Sequence, residues 1–232
     1  APVVRGYYQR PELEYLRKAL AGFSREDIAA GVQHVLEDVE TRYLKDNIPN
    51  PAGTAIVLSG GVAANVRLNQ KIRDLGFRDV YVFPHMGDGG LAVGACFAAN
   101  SGSTGPGRNQ PLTDVYLGTG YTDAEIEAAL TASGFRWHRS AAVEREVAQQ
   151  VESGKIVARF AGRMEYGPRA LCNRSILYKA DDPGVNTWLN QRLKRTEFMP
   201  FAPVLLREDA PRFLKNYDAR HSVAASFMTI TY

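Results

Sequence analysis

Arg163, Arg169 and Arg174 lie six and five residues apart in the segment Gly162-Arg-Met-Glu-Tyr-Gly-Pro-Arg-Ala-Leu-Cys-Asn-Arg-Ser175. Each planar guanidinium can make paired N–H bonds to a phosphate or a carboxylate. A connection bent by glycine and proline can converge all three on one point, and Asn173 and Ser175 add neutral donors. The plain alternative is a solvated basic loop. A second candidate is Ser59-Gly60-Gly61-Val-Ala-Ala-Asn65. Paired glycines between a strand and a helix let a ligand approach the backbone, and the helix start offers unpaired N–H groups. Asn65, one turn in, could hydrogen-bond a base or a ribose; a tight strand-to-helix turn explains the same residues. The third candidate is Gly87-Asp88-Gly89-Gly90. Gly87 leaves room for a ligand, and the Asp88 carboxylate can hold a divalent metal beside phosphates. A helix N-cap accounts for Asp88 equally well.

These residues need elements to hold them. Ser24 with Asp27 three residues on starts a helix, in which Ile28, Val32, Val35, Leu36, Val39 and Tyr43 form one stripe expected to be buried. Thr54–Leu58 is wholly apolar, as in a strand covered on both faces. A helical stretch then runs to Leu75 with Gly76 as its stop. A strand follows over Asp79–Phe83, and a small-residue helix over Leu91–Ala99. Strand, glycine turn and helix, twice over, is α/β organisation. Asn100–Gln110 reads as a linker, which places one domain at 1–104 and a second at 112–232. In the second, Thr122 and Glu125 form a capping box with Gly134 as terminator, and Val143–Ser153 is a helix ending at Gly154. Strands are expected at Lys155–Phe160 and Ser175–Tyr178. Asp182-Pro183 starts a helix reaching Lys194, with Arg192, Lys194 and Arg195 at its end. Phe227–Tyr232 reads as a strand.

Composition narrows the function. The chain has 232 residues, 45% hydrophobic and 23% charged, the proportions of a globular protein. No run supplies the ~20 apolar residues of a membrane span. Two cysteines, Cys96 and Cys172, make no disulfide framework, so a cytoplasmic setting is expected. The formal charge is only +3, but nine basic residues face four acidic ones between Lys155 and Glu197. A local arginine cluster in a nearly neutral chain points to a small anion rather than to nucleic acid.

Taken together, LSGGVAANVRLNQKI and VFPHMGDGGLAVGACFAA resemble the C-terminal half of the actin/Hsp70-like (RNase H-like) ATPase domain of carbamoyltransferases and their tRNA-modifying relatives. The segment GRMEYGPRALCNRSIL, with Asn190–Lys194 and MPFAPV at Met199–Val204, resembles the YrdC-like C-terminal domain of O-carbamoyltransferases of the nodulation-protein and antibiotic-tailoring type. The chain departs from that pattern at Tyr166, where Phe is usual, and at Cys172, where Gly is usual. If Cys172 must take a positive φ, the side chain costs of order 1 kcal/mol.

The resemblance implies a fold, a reaction and roles. Carbamoyl phosphate would yield carbamate, which attacks ATP to give carbamoyl-adenylate and pyrophosphate. A hydroxyl of a small-molecule acceptor would then take the carbamoyl group. Arg163 and Arg169 would bind carbamoyl phosphate, and Arg174, Asn173 and Ser175 would support the phosphates. Gly60, Gly61, Asn65 and Gly87 would line the adenylate, and Asp88 would hold iron or a similar divalent metal. The family's metal-binding histidines belong to an HxxxH-type motif that this sequence lacks, so an N-terminal half-domain is expected as a partner and the chain alone is expected to be incomplete; a homodimer is left open. Two rivals stand beside this reading: a tRNA threonylcarbamoyl transferase, suggested by GGVAAN, and a non-catalytic nucleotide-binding scaffold.

Overall fold

The computed structural model describes residues 10–104, 112–182, 184–194, 201–218 and 222–232. Pro183, Arg195, Met199, Pro200 and the linker from 105 to 110 fall outside the described residues. The fold is mixed helix and sheet.

Helix α1 (Arg10–Ala19) precedes the 23-residue helix α2 (Arg25–Asn47). Ser24 caps α2: its Oγ accepts from the Asp27 N–H at 3.0 Å, satisfying one of the orphan donors of the first turn. Strand β1 (Ala55–Leu58) pairs in parallel with β2 (Asp79–Val82), Ala55 opposite Asp79 and Leu58 opposite Val82. Helix α3 (Val66–Arg73) connects them and closes near Gly76, whose φ of 87° suits a residue without a Cβ. A core of Ala63, Leu68, Ile72, Phe77, Val80, Val82 and Met86 fills the space between α3 and the strands, with Leu36 and Leu44 of α2 packed against it.

Four expectations about the first half need correction. The stripe on α2 is buried only in part: Val32, Val35, Val39 and Tyr43 are all exposed, and of its members Leu36 packs against the core, joined there by Leu44. Strand β1 is covered on one face only, since Ile56 and Leu58 are half-buried while Ala55 and Val57 are exposed. Helix α4 (Leu91–Thr104) continues through the first residues of the expected linker. Asn65 is not one turn into a helix; a short 3-10 turn, Gly61–Ala64, intervenes, and Asn65 is the N-cap of α3.

The second half carries helices α5 (Asp123–Ser133) and α6 (Val143–Glu152), then the antiparallel strands β3 (Val157–Phe160) and β4 (Arg174–Leu177). The capping box at Thr122 and Glu125 is complete, and Gly134 ends α5 at φ 70°. Helix α7 (Val185–Arg192) is preceded by Asp182, whose carboxylate accepts from the Gly184 N–H at 2.8 Å. Two short helices follow, α8 (Ala210–Phe213) and α9 (Ser222–Ser226).

The final residues, expected as a strand, form none. They return to the first half. Asn69 on α3 is fully buried, and its Nδ2 donates to the carbonyls of Ala63 and Thr229, both at 2.8 Å. Thr231 donates to the Gln70 side chain at 2.6 Å, and Arg73 lies 4.7 Å over the Tyr232 ring. Side-chain bonds to a neighbouring helix thus take the place of a strand ladder.

Candidate functional site

The two glycine turns sit side by side because they follow paired parallel strands. Gly60, at φ 98°, donates its N–H to the Met86 carbonyl at 2.6 Å, which ties one turn to the other. Gly89 and Gly90 wrap the His85 ring and carbonyl so closely that a Cβ at either would collide with His85. The Asp88 carboxylate is exposed at the start of the following 3-10 turn. Among the described residues no group of three or more His, Cys, Asp or Glu side chains gathers to hold a metal ion. Asp88 can supply one ligand, and the described residues do not complete a set around it.

Asn65 is committed on several sides. Its Oδ1 accepts from the Leu68 N–H at 3.0 Å and from Gln33 Nε2 at 3.3 Å, while its Nδ2 donates to Gln33 Oε1 at 2.7 Å. The amide pair brings α2 against the turn. Beside it, Ala30, Gln33, His34, Glu37 and Arg67 line an open cavity of about 300 Å³. Glu37 and Arg67 form an ion pair at 2.7 Å. The Gln33 amide, donating to Glu37, holds that carboxyl below the usual range, and Arg67 adds to the effect against the opposing influence of burial. Nothing in the motif reading singled out Gln33, Glu37 or Arg67. The available signal was position: Gln33 and Glu37 are one turn apart on α2, and Arg67 follows the Gly-Gly turn.

The connection between β3 and β4 carries the arginines. Three residues hold it in left-handed conformations: Gly162 at φ 55°, Gly167 at φ 114° and Cys172 at φ 76°. The glycine expected from the resemblance at the Cys172 position would therefore have a conformational reason, and here a side chain occupies it.

Two of the three guanidinium groups are engaged by main-chain carbonyls around the loop. Arg163 donates to the carbonyls of Gly118 and Leu117 at 3.0 and 2.9 Å. Arg174 donates to Ala161 at 2.7 Å and to Gly162 and Thr119 at 3.2 and 3.4 Å, and it lies 3.6 Å over the Phe160 ring. Arg169 has a different partner: it donates to the Ala64 carbonyl, in the first glycine turn, at 3.1 Å. Its Nε is buried and has no partner among the described residues. Asn173 donates to the Arg163 carbonyl at 2.7 Å, and Ser175 Oγ accepts from the Cys172 N–H at 2.9 Å. Both act within the loop.

The loop also reaches the second glycine turn. Tyr166 donates its hydroxyl to the Gly89 carbonyl at 3.2 Å, with its ring 5.0 Å from His85 and edge-on to Phe83. A Cβ at Gly167 would stand 3.1 Å from the Pro84 carbonyl, so the backbone itself approaches the turn. The arginine loop and the two glycine turns thus form one contiguous surface.

The family profile described as Carbamoyltransferase N-terminus matches residues 6–97, and that described as Carbamoyltransferase C-terminus matches residues 148–232. The chain belongs to the carbamoyltransferase family. An uncharacterized protein of Methanocaldococcus jannaschii is 34% identical over 91% of this chain and 36% of its own length. Nodulation protein NolO of Bradyrhizobium diazoefficiens is 33% identical over 82% of this chain and 35% of its own. Nodulation protein U of Azorhizobium caulinodans is 31% identical over 84% of this chain and 34% of its own. The chain spans about a third of the length of these curated relatives. No helix among the described residues is long and apolar enough to cross a membrane.

Proposed function

We infer that this chain contributes to the transfer of a carbamoyl group to a hydroxyl of a small-molecule acceptor, with carbamoyl phosphate as donor and ATP as activator. The observation that carries this reading is Arg169, which crosses from the arginine loop to the Gly60–Gly61 turn and keeps a buried Nε that has no partner among the described residues. A buried donor of a charged group calls for an acceptor, and an anionic ligand lying between loop and turns would supply one. The carbamoyltransferase family membership makes carbamoyl phosphate the fitting anion.

In this scheme water hydrolyses carbamoyl phosphate to carbamate and inorganic phosphate, and the carbamate oxygen attacks the α-phosphorus of ATP, forming carbamoyl-adenylate and releasing pyrophosphate. The acceptor hydroxyl then attacks the carbamoyl carbon and AMP leaves. The adenosine portion belongs in the cavity between α2 and α3, where Arg67 offers a flat cationic face and Gln33 and His34 offer polar edges. Gly60, Gly61 and Gly87 let phosphates approach the backbone, and Asn65 acts by orienting Gln33 and capping α3. Arg163, Arg174, Asn173 and Ser175 shape the loop around the donor. The work of such groups is positioning and charge stabilisation. If a divalent ion takes part, Asp88 supplies one carboxylate to it. Partner groups outside this chain, including an N-terminal half-domain, would complete the enzyme.

Calorimetric titration of the chain with carbamoyl phosphate tests the reading. Arg169→Ala is expected to weaken binding by about 1.5 kcal/mol, the value of a charged hydrogen bond. Wild-type binding that is absent, or indifferent to that change, overturns it. One observation favours a second reading, a nucleotide-binding scaffold without transfer: the guanidiniums of Arg163 and Arg174 are already engaged with main-chain carbonyls. Binding of ATP without any binding of carbamoyl phosphate would select it.

A further inference from the structure

Glu165 sits in the middle of the arginine loop, yet it is only 8% exposed and pairs with none of the arginine side chains around it. Its Oε1 accepts from the backbone N–H groups of Leu171, Asn173 and Arg174 at 2.7, 2.8 and 3.1 Å. Those three donors flank Cys172, the residue held at φ 76°. A single carboxylate oxygen thus draws together the far limb of the loop. Charge-assisted bonds of this kind are shorter and stronger than neutral ones.

The consequences extend to the arginines. Asn173 is fixed through its N–H by Glu165, and its side chain in turn holds the Arg163 carbonyl. Arg174 is fixed at its N–H, where β4 begins. Leu171 is held on both sides, its N–H by Glu165 and its carbonyl by the Tyr116 hydroxyl at 2.9 Å. Arg169 lies between Glu165 and these anchored residues, so the bend closed by the carboxylate sets where its side chain leaves the loop.

We propose that Glu165 is a positioning residue: its carboxylate folds residues 165–174 into the shape that presents Arg169 to the bound anion. The proposal rests on the donor reading above, and its test separates the two. Carbamoyl phosphate binding and backbone amide hydrogen exchange are measured on the wild-type chain, Glu165→Ala and Glu165→Gln. In Glu165→Ala, exchange at Leu171, Asn173 and Arg174 should quicken by about tenfold or more, as expected when a local hydrogen-bonded unit opens. Exchange at Val80 and Val82 of β2 should stay unchanged, showing that the fold persists. Carbamoyl phosphate affinity should fall by about tenfold, the equivalent of a lost charged bond. Glu165→Gln keeps one acceptor oxygen and should recover part of both effects. Unchanged exchange at the three amides overturns the anchoring role. Quickened exchange with undiminished affinity overturns the positioning role. A wild type that binds no carbamoyl phosphate removes the donor reading and the positioning role with it, while the exchange data then show Glu165 to be a purely structural anchor.

Discussion

Cys172 sits in a left-handed conformation that L-residues with a Cβ enter at a penalty of roughly 1–2 kcal/mol. Cys172→Gly should therefore raise the unfolding free energy by about 1 kcal/mol, because the bond from the residue's N–H to Ser175 survives the change. Denaturant unfolding would show it, and an unchanged midpoint would refute the strain. Glu165 gives a pH prediction. Burial alone would raise its carboxyl above the ordinary 4.5, and the surrounding backbone N–H groups more than reverse this, so it lies lower. A carboxyl lowered on folding contributes stability that is complete above 4.5 and is lost as pH falls below it. The acid limb of a stability–pH profile should accordingly be steeper for wild type than for Glu165→Gln; parallel limbs would count against the carboxylate cradle. The sequence made the arginines and the doubtful cysteine visible, since both stand out by type. Glu165 was not visible, because an acid among arginines reads as surface charge, and only the folded loop turns three amides onto it.

Among the elements, those with local punctuation were the most legible. Ser24, Thr122, Gly134 and Gly154 all mark real helix ends, because a cap is decided by residues within one turn of it. Thr122→Ala should destabilise the protein by about 1 kcal/mol, measured by thermal or denaturant unfolding. The α2 stripe was only partly right for the opposite reason: periodicity reveals that a helix has an apolar face and says nothing of what lies against it. Leu36 and Leu44 found the core, whereas Val32, Val35, Val39 and Tyr43 did not. The bend between β3 and β4 depends on Gly167, which combines φ 114° with close approach to Pro84. Gly167→Ala should cost on the order of 1–3 kcal/mol and loosen the Tyr166 contact with Gly89. A crystal structure of the variant with that contact intact and stability unaltered would contradict this.

Over the whole molecule, the α/β organisation and the two glycine turns could be read from strand and helix order. The way the halves meet could not, since it depends on contacts between residues far apart in the chain: Arg169 with Ala64, Tyr166 with Gly89, and Asn69 with Thr229. Asn69 concentrates that dependence. Asn69→Ala would leave the Ala63 and Thr229 carbonyls without their donor in a buried site. A loss of about 1–3 kcal/mol is expected by differential scanning fluorimetry or urea unfolding.

The return of the last residues to α3 bears on how the polypeptide can be cut. A protease nick placed between residues 104 and 112 would sever the chain yet leave the Thr229 and Thr231 bonds to Asn69 and Gln70 in place. The two pieces should co-elute in gel filtration and part only in denaturant, so the C-terminal end works as a latch that keeps a nicked molecule whole.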